Sequence, residues 1–149
     1  MTTPASTTGR VIERGDAIGE LLERTRRIAV LGIKTAETMQ PAYYVAEYAR
    51  HAGYEIVPVP VYFPDVTEIL GERVYRTLVA IPGPIDMVNV FRRPRDLHAH
   101  LDDILAKRPK SVWLQLGIRD DSFARRLVDA GIDVVQDRCL LVELRNRGR

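Results

Sequence analysis

The hexapeptide AGYEIV, Ala52 to Val57, is echoed near the end of the chain by AGIDVV, Ala130 to Val135. In both, an Ala-Gly pair suits the end of a helix, where glycine takes the left-handed position that closes the last turn. A β-branched run carrying one acidic residue then suits the start of a strand. One helix-to-strand connection used twice points to alternating helices and strands, rather than to separate runs of each.

Outward from these two points the same rhythm continues. Pro41 to Ala52 places Val45, Tyr48, Ala49 and Ala52 on one helical face, and EIVPV, Glu55 to Val59, follows as a strand. Upstream, RIAVLG (Arg27–Gly32) is a short apolar run ending in glycine, as in a strand buried on both faces. Before it, Asp16 to Arg24 carries Ile18, Leu21 and Leu22 at helical spacing, with Asp16 as the expected N-cap. Downstream, IDMVNV (Ile85–Val90) is the third strand, and Pro94 is expected at the first position of a helix with Leu97, Leu101, Ile104 and Leu105 in one stripe. SVWLQ (Ser111–Gln115) is the fourth strand. Asp120 or Asp121 caps a helix with Phe123 and Leu127 inward, and Gly131 ends it. IDVVQ (Ile132–Gln136) is the fifth strand, and CLLVEL follows as a short helix or strand. Only Val61 to Gly83 shows no period.

The expected fold is therefore α/β: a single domain with a doubly wound parallel sheet of about five strands and right-handed crossovers. Residues 1–12 are expected to form a flexible tail, 13–145 the domain, and 146–149 a second, solvated tail. In such sheets ligands bind outside the carboxyl ends of the strands. Here those ends are Gly32-Ile33-Lys34, Val59-Pro60-Val61, Phe91-Arg92-Arg93, Gln115-Leu116-Gly117 and Asp137-Arg138-Cys139.

Composition narrows the function. The chain has 149 residues, 46% of them apolar and 28% charged, an ordinary globular balance for one domain. With 22 Lys and Arg against 20 Asp and Glu, the net charge is +2, which provides no basic coat for nucleic acid. The single cysteine, Cys139, excludes an intramolecular disulfide, and no CxxC pair suggests zinc. No apolar run approaches the length of a membrane span, and the polar opening MTTPASTTGR does not read as a signal peptide. A cytoplasmic location is the resulting expectation.

The carboxyl edge carries the candidate chemistry. Arg92 and Arg93 stand beside a proline that opens a helix, where the dipole favours anions, so two arginines there suit an anionic guest. Phe91 reads equally as core or as an apolar wall for a flat ring. The first loop, GIKTAETMQPA, is the expected phosphate loop, with Lys34, Thr35, Thr38 and backbone N–H groups leading into the helix at Pro41. It is not GxGxxG, and no acidic residue ends the second strand, so a dinucleotide fingerprint is absent, as is GxxxxGK[ST]. Lys34 reads as a phosphate contact or a solvated lysine. His51, His98 and His100 have no metal-ligand spacing and read as surface histidines. Cys139, between Arg138 and a helix start, reads as a structural thiol or as a reactive one. No catalytic set stands out, and the chain is read as more plausibly a binding protein than an enzyme.

The segments GYEIVPV, EILGERVY (Glu68–Tyr75), VNVFRRP, VWLQLGI and AGIDVVQDRCL occur in the order found in the stand-alone CoA-binding domain proteins. From about Arg27 to Glu143 the chain resembles that family, whose fold is similar to the N-terminal domain of the succinyl-CoA synthetase alpha subunit. The resemblance implies a Rossmann-like domain that binds coenzyme A or an acyl-CoA at the carboxyl edge. By that analogy Gly32, Ile33 and Lys34 lie against the pyrophosphate, with Thr35 and Pro41 in the same loop. Val59 and Pro60 lie beside the adenosine, and Phe91 and Arg92 near the adenine or phosphates, with Arg92 expected to face the ligand and Arg93, also counted in the site, nearer the surface. Gln115 and Gly117 lie near the pantetheine arm, and Cys139 near the end of the fifth strand. Three departures stand out: Lys34 replaces the usual serine, Pro60-Val61 replaces the usual Asn-Pro, and the following segment YFPDVT is longer than usual. The phosphohistidine segment of the synthetase belongs to a further domain, so ligase activity does not carry over. Two other readings remain open: thiol exchange or acyl acceptance at Cys139, and a CoA-sensing module. In the latter, Tyr43, Tyr44, Tyr62 and Phe63 form the surface for a homodimer or a protein partner.

Overall fold

Five apolar segments form one parallel sheet because each is hydrophobic on both faces and needs cover on both. The computed structural model describes residues 8–149. The strands are β1 (Arg27–Leu31), β2 (Glu55–Val59), β5 (Met87–Val90), β6 (Ser111–Leu114) and β7 (Asp133–Val135), in the spatial order β2-β1-β5-β6-β7. All the pairings are parallel, with Ile28 opposite both Ile56 and Met87.

Alternation along each strand feeds two cores. Ile28, Val30, Met87, Trp113 and Val135 face α1 (Gly15–Arg24), α2 (Pro41–His51) and α5 (Leu140–Asn146). Ala29, Leu31, Val88, Val90, Val112, Leu114 and Val134 face α3 (Leu101–Lys107) and α4 (Asp121–Asp129). Each fully buried aliphatic side chain contributes about 1.5–3 kcal/mol. Trp113 is buried whole, because its indole N–H donates to the Arg138 carbonyl at 2.8 Å.

The Pro41 start, the Ala52-Gly53 and Ala130-Gly131 turns, and the cap by Asp120 lie where the sequence puts them. The Asp120 carboxylate accepts from the Phe123 N–H at 3.0 Å. Three other expectations are corrected. The cap residue of α1 is Arg14, and Asp16 lies inside the first turn, bonded to the Ala17 N–H. The helix expected from Pro94 divides into a 3-10 segment, Pro94–His100, followed by α3. CLLVEL, open between helix and strand in the sequence, resolves as helix: Leu140 starts α5 and Cys139 is its N-cap residue.

The expected tails are the third correction. Residues 1–7 lie outside the described residues, but Gly9 to Ile12 dock along β7. Ile12 N–H donates to the Val134 carbonyl and Val134 N–H to that of Arg10, both at 2.8 Å, and Ile12 is buried. At the other end the Arg147 guanidinium donates to the Gly15 carbonyl at 2.6 Å, and that of Arg149 lies 5.1 Å over the Tyr54 ring.

The aperiodic stretch from Val61 to Gly83 contains a two-stranded hairpin, β3 (Glu68–Ile69) and β4 (Glu72–Arg73). Its turn, Leu70-Gly71, has positive φ at both residues, the geometry that matches strand twist in tight hairpins. Arg76 holds the loop before it by donating to the carbonyls of Tyr62, Phe63, Pro64 and Val66.

One carboxylate ties the amino-terminal ends of β1 and β5 together. Asp86, just before β5, accepts the N–H groups of Arg26 and Arg27 at 2.9 Å each, with Lys110 at 3.4 Å. Partial burial pushes its pKa up, but these two backbone donors and Lys110 outweigh burial and hold it below the ordinary carboxylate value. A lowered folded pKa means that the stabilisation is present above the unfolded carboxylate range and is lost as pH falls through the folded value. Asp86→Ala is expected to lower stability by about 1–3 kcal/mol in urea unfolding at pH 7. The gap between mutant and wild type should close as the titration is carried into acid.

Candidate functional site

From β1 the chain turns to α2 on one face of the sheet; from the adjacent β5 it turns to α3 on the other. Between these diverging connections a crevice opens, as it must wherever a doubly wound sheet reverses direction. Gly32 sets its depth. It has φ +87°, and a β-carbon there would sit 2.3 Å from the Phe91 carbonyl oxygen, so only glycine lets the two loops approach this closely.

The crevice has a volume of about 480 Å³. It brings together eight of the residues expected from the sequence: Lys34, Pro41, Phe91, Arg92, Arg93, Gln115, Gly117 and Cys139. Gln40, Ala42, Tyr44, Pro94, Leu116 and Ile118 complete its wall. Five expected residues do not line it. Gly32 lies beneath, between the loops; Ile33 and Val59 are buried in the two cores, Thr35 in its own loop, and Pro60 at the end of β2.

The first loop also differs from the phosphate loop read in the sequence. Its two threonine hydroxyls are spent internally, Thr35 on the Glu37 carboxylate at 2.5 Å and Thr38 on the Thr35 carbonyl at 2.7 Å. What the loop offers the crevice is Lys34 and the start of α2. Lys34 reaches Gln40 Oε1 at 2.6 Å, and Gln40, the N-cap residue, makes no side-chain cap to the helix. The positive end of α2, with Pro41 and Ala42 on the wall, is thus left to the crevice.

Arg92 is held from three sides. Its Nε donates to His100 Nε2 at 3.1 Å, Asp96 lies 3.8 Å from a terminal nitrogen, and its guanidinium stacks 5.6 Å from the Tyr62 ring centre. Only 14% of its side chain is exposed, against 61% for Arg93, which pairs with Asp96 at 3.0 Å. His100 is therefore not the surface histidine that the sequence suggested. Partial burial, then the Arg92 charge, lowers its pKa, so the neutral ring that accepts the arginine N–H persists below the ordinary histidine range. Three cations surround the crevice and no carboxylate lines it.

The far end is lined by uncharged residues. Gln115 is buried; its carbonyl accepts from Asn89 Nδ2 and from the Leu140 N–H, both at 3.3 Å, and so caps α5. Gly117 has open space above its Cα, with its N–H bound to Asp137 at 2.7 Å. Cys139 is half-buried at the start of α5, and the neighbouring Arg138 guanidinium turns away to the Glu13 carbonyl and Glu143.

One constellation that the sequence did not suggest lies outside the crevice. Ser122, His98 and Asp120 meet, but Asp120 at 3.3 Å and Ser122 at 3.4 Å both approach His98 Nε2. A charge-relay triad needs the acid on one ring nitrogen and the nucleophile on the other, so this cluster is a helix cap. Among the described residues no group of three or more His, Cys, Asp or Glu could hold a metal, and no helix is long and apolar enough to cross a membrane.

Known proteins share this architecture. A Thermus thermophilus structure known as cell-free ID.343 superposes with a TM-score of 0.82 at 40% identity, covering 90% of this chain and 98% of that one. A hypothetical protein from Pyrococcus horikoshii OT3 gives 0.81 at 27% identity, covering 90% and 92%. The uncharacterized protein YneT of Bacillus subtilis (strain 168) is 35% identical over 125 residues, 84% of this chain and 90% of that protein. The family model described as CoA binding domain matches residues 26–145, and with the sheet, the crevice and these relatives in agreement, the chain belongs to the CoA binding domain family.

Proposed function

We propose that the crevice binds coenzyme A with its phosphates against Lys34, Arg92 and the start of α2, and its pantetheine arm running past Gln115 and Gly117 toward Cys139. The observation that carries this reading is the distribution of charge: three cations and no carboxylate, gathered at one end of a crevice whose other end is neutral. CoA has the matching polarity, with phosphates at the nucleotide end and a neutral amide-bearing arm ending in a thiol. Phe91 and Tyr44 supply flat walls for the adenine. The Gln115 amide nitrogen has no partner among the described residues and can donate to a pantetheine carbonyl. The protein acts as a binder without catalysis of its own, since no nucleophile, base and orienting acid converge on the ligand.

The place of Cys139 favours a second reading. Its thiolate would attack a sulfur of CoA disulfide, giving a protein–CoA mixed disulfide and releasing one CoA thiolate. Intact-mass measurement decides: a CoA adduct in the wild type that is absent from Cys139→Ser supports it, and an unmodified wild-type mass excludes it.

Calorimetric titration with CoA, NAD and ATP tests the principal reading. CoA is expected to bind tightest, and the absence of CoA binding at millimolar concentration overturns the reading. Arg92→Ala should weaken CoA binding about 10–100-fold, a loss of about 1.4–2.7 kcal/mol. Arg93→Ala, exposed and already paired with Asp96, should cost less than about threefold. Equal effects would refute the assignment of Arg92 as the principal phosphate ligand.

Acid should loosen the seat of Arg92. Protonated His100 presents an N–H where Arg92 needs an acceptor, and only Asp96 and Asp103 nearby oppose that repulsion. Because the folded pKa is lowered, the seat is intact at neutral pH and fails as pH falls below the ordinary histidine value. CoA affinity in the wild type is expected to drop over that interval more steeply than in His100→Gln, whose side chain still accepts but does not titrate. Parallel pH profiles would show that His100 does not position Arg92.

A further inference from the structure

The crevice does not stop at Cys139. A second cleft, of about 390 Å³, adjoins it and shares two wall residues, Leu116 and Cys139. The turn after β7, the start of α5 and the segment docked on β7 build it, bringing Val11, Glu13, Arg138 and Val142 to its wall. Three of the exposed large apolar side chains, Val11, Leu116 and Val142, converge here. No role in the first crevice explains Val11 or Val142.

We infer that this second cleft receives the group carried on the CoA sulfur, and that it selects a short, neutral acyl group. The inference rests on the CoA reading, because the charge polarity of the first crevice directs the thiol end to Leu116 and Cys139, where the second cleft begins. The apolar trio offers burial to a short hydrocarbon. Both cations there are already engaged, as is Asp137. Arg138 is bound to the Glu13 carbonyl and Glu143, Arg119 to Asp121 at 3.1 Å, and Asp137 to the Gly117 N–H. An acyl group ending in a carboxylate would meet Glu13, Asp137 and Glu143 without an unpaired cation to receive it. The volume is near the lower end of small-molecule sites, about 300–1,000 Å³, so a long alkyl chain would have to leave it for water.

The test titrates the full chain with CoA, acetyl-CoA, butyryl-CoA, succinyl-CoA and palmitoyl-CoA, in the wild type and in Val142→Trp. That substitution fills the cleft from a partly exposed position that tolerates bulk. The wild type is expected to bind acetyl-CoA and butyryl-CoA about 5–20-fold more tightly than CoA, with no gain for succinyl-CoA or palmitoyl-CoA. Val142→Trp should abolish the gain while leaving CoA affinity within about twofold. Val11→Trp, on a separate segment, provides the same test should Val142→Trp fail to fold. Failure to bind CoA at all overturns the CoA reading and this inference with it. CoA binding with no acyl gain, a gain for succinyl-CoA, or a gain that survives both substitutions overturns this inference alone.

Discussion

The approach of Gly32 to the Phe91 carbonyl is the constraint on which the crevice depends. Two connections leaving adjacent strands for opposite faces would ordinarily be kept apart by the side chain at the end of β1. With no β-carbon there, and with a left-handed backbone that only glycine adopts without strain, the loops meet at their base and diverge above it. Lys34 and the start of α2 are placed on one side, Arg92 and Arg93 on the other. The phosphate chemistry proposed for this site therefore begins with an absence of side chain, two residues before the first cation.

The cations themselves are restrained unequally. Arg93 is an ordinary surface ion pair, weakened by solvent. Arg92 is packed under Tyr62 and bonded to a neutral imidazole, which orients its charge without cancelling it, while Asp96 sits at 3.8 Å and pairs more closely with Arg93. An acidic partner in place of His100 would hold the guanidinium as firmly but neutralise the field that an anionic ligand needs. The neutral acceptor keeps both the orientation and the charge.

Much of this was legible in the sequence, for identifiable reasons. The strands β1, β2, β5, β6 and β7 are apolar on both faces and bounded by glycine, proline or aspartate, so composition alone marks them. The carboxyl edge followed from the fold, and with it Lys34, Phe91, Arg92, Gln115 and Cys139. The misses share a cause: they rest on contacts that leave no local period. The β3–β4 hairpin has two-residue strands, and the loop before it is organised by one arginine, Arg76. The partnership of His100 with Arg92 depends on a 3-10 segment where an α-helical stripe was expected. Val59 and Pro60 were assigned to the adenosine by analogy, yet the chain folds them into the interior. Thr35 and Thr38 have the right chemistry for phosphate, but Glu37 and a carbonyl of their own loop claim their hydroxyls.

The segment Gly9–Ile12 along β7 has a consequence for the sheet as a whole. A parallel sheet has two outer strands, each a row of N–H and C=O groups that could pair with another chain. At one side the docked segment occupies that row. At the other, β2 carries Pro58, which has no N–H to offer, and the Tyr75 N–H takes the Pro58 carbonyl. Neither border is left as a bare template. Both features disfavour recruitment of a neighbour's strand, a protection built from a proline and a few residues outside the repeating pattern.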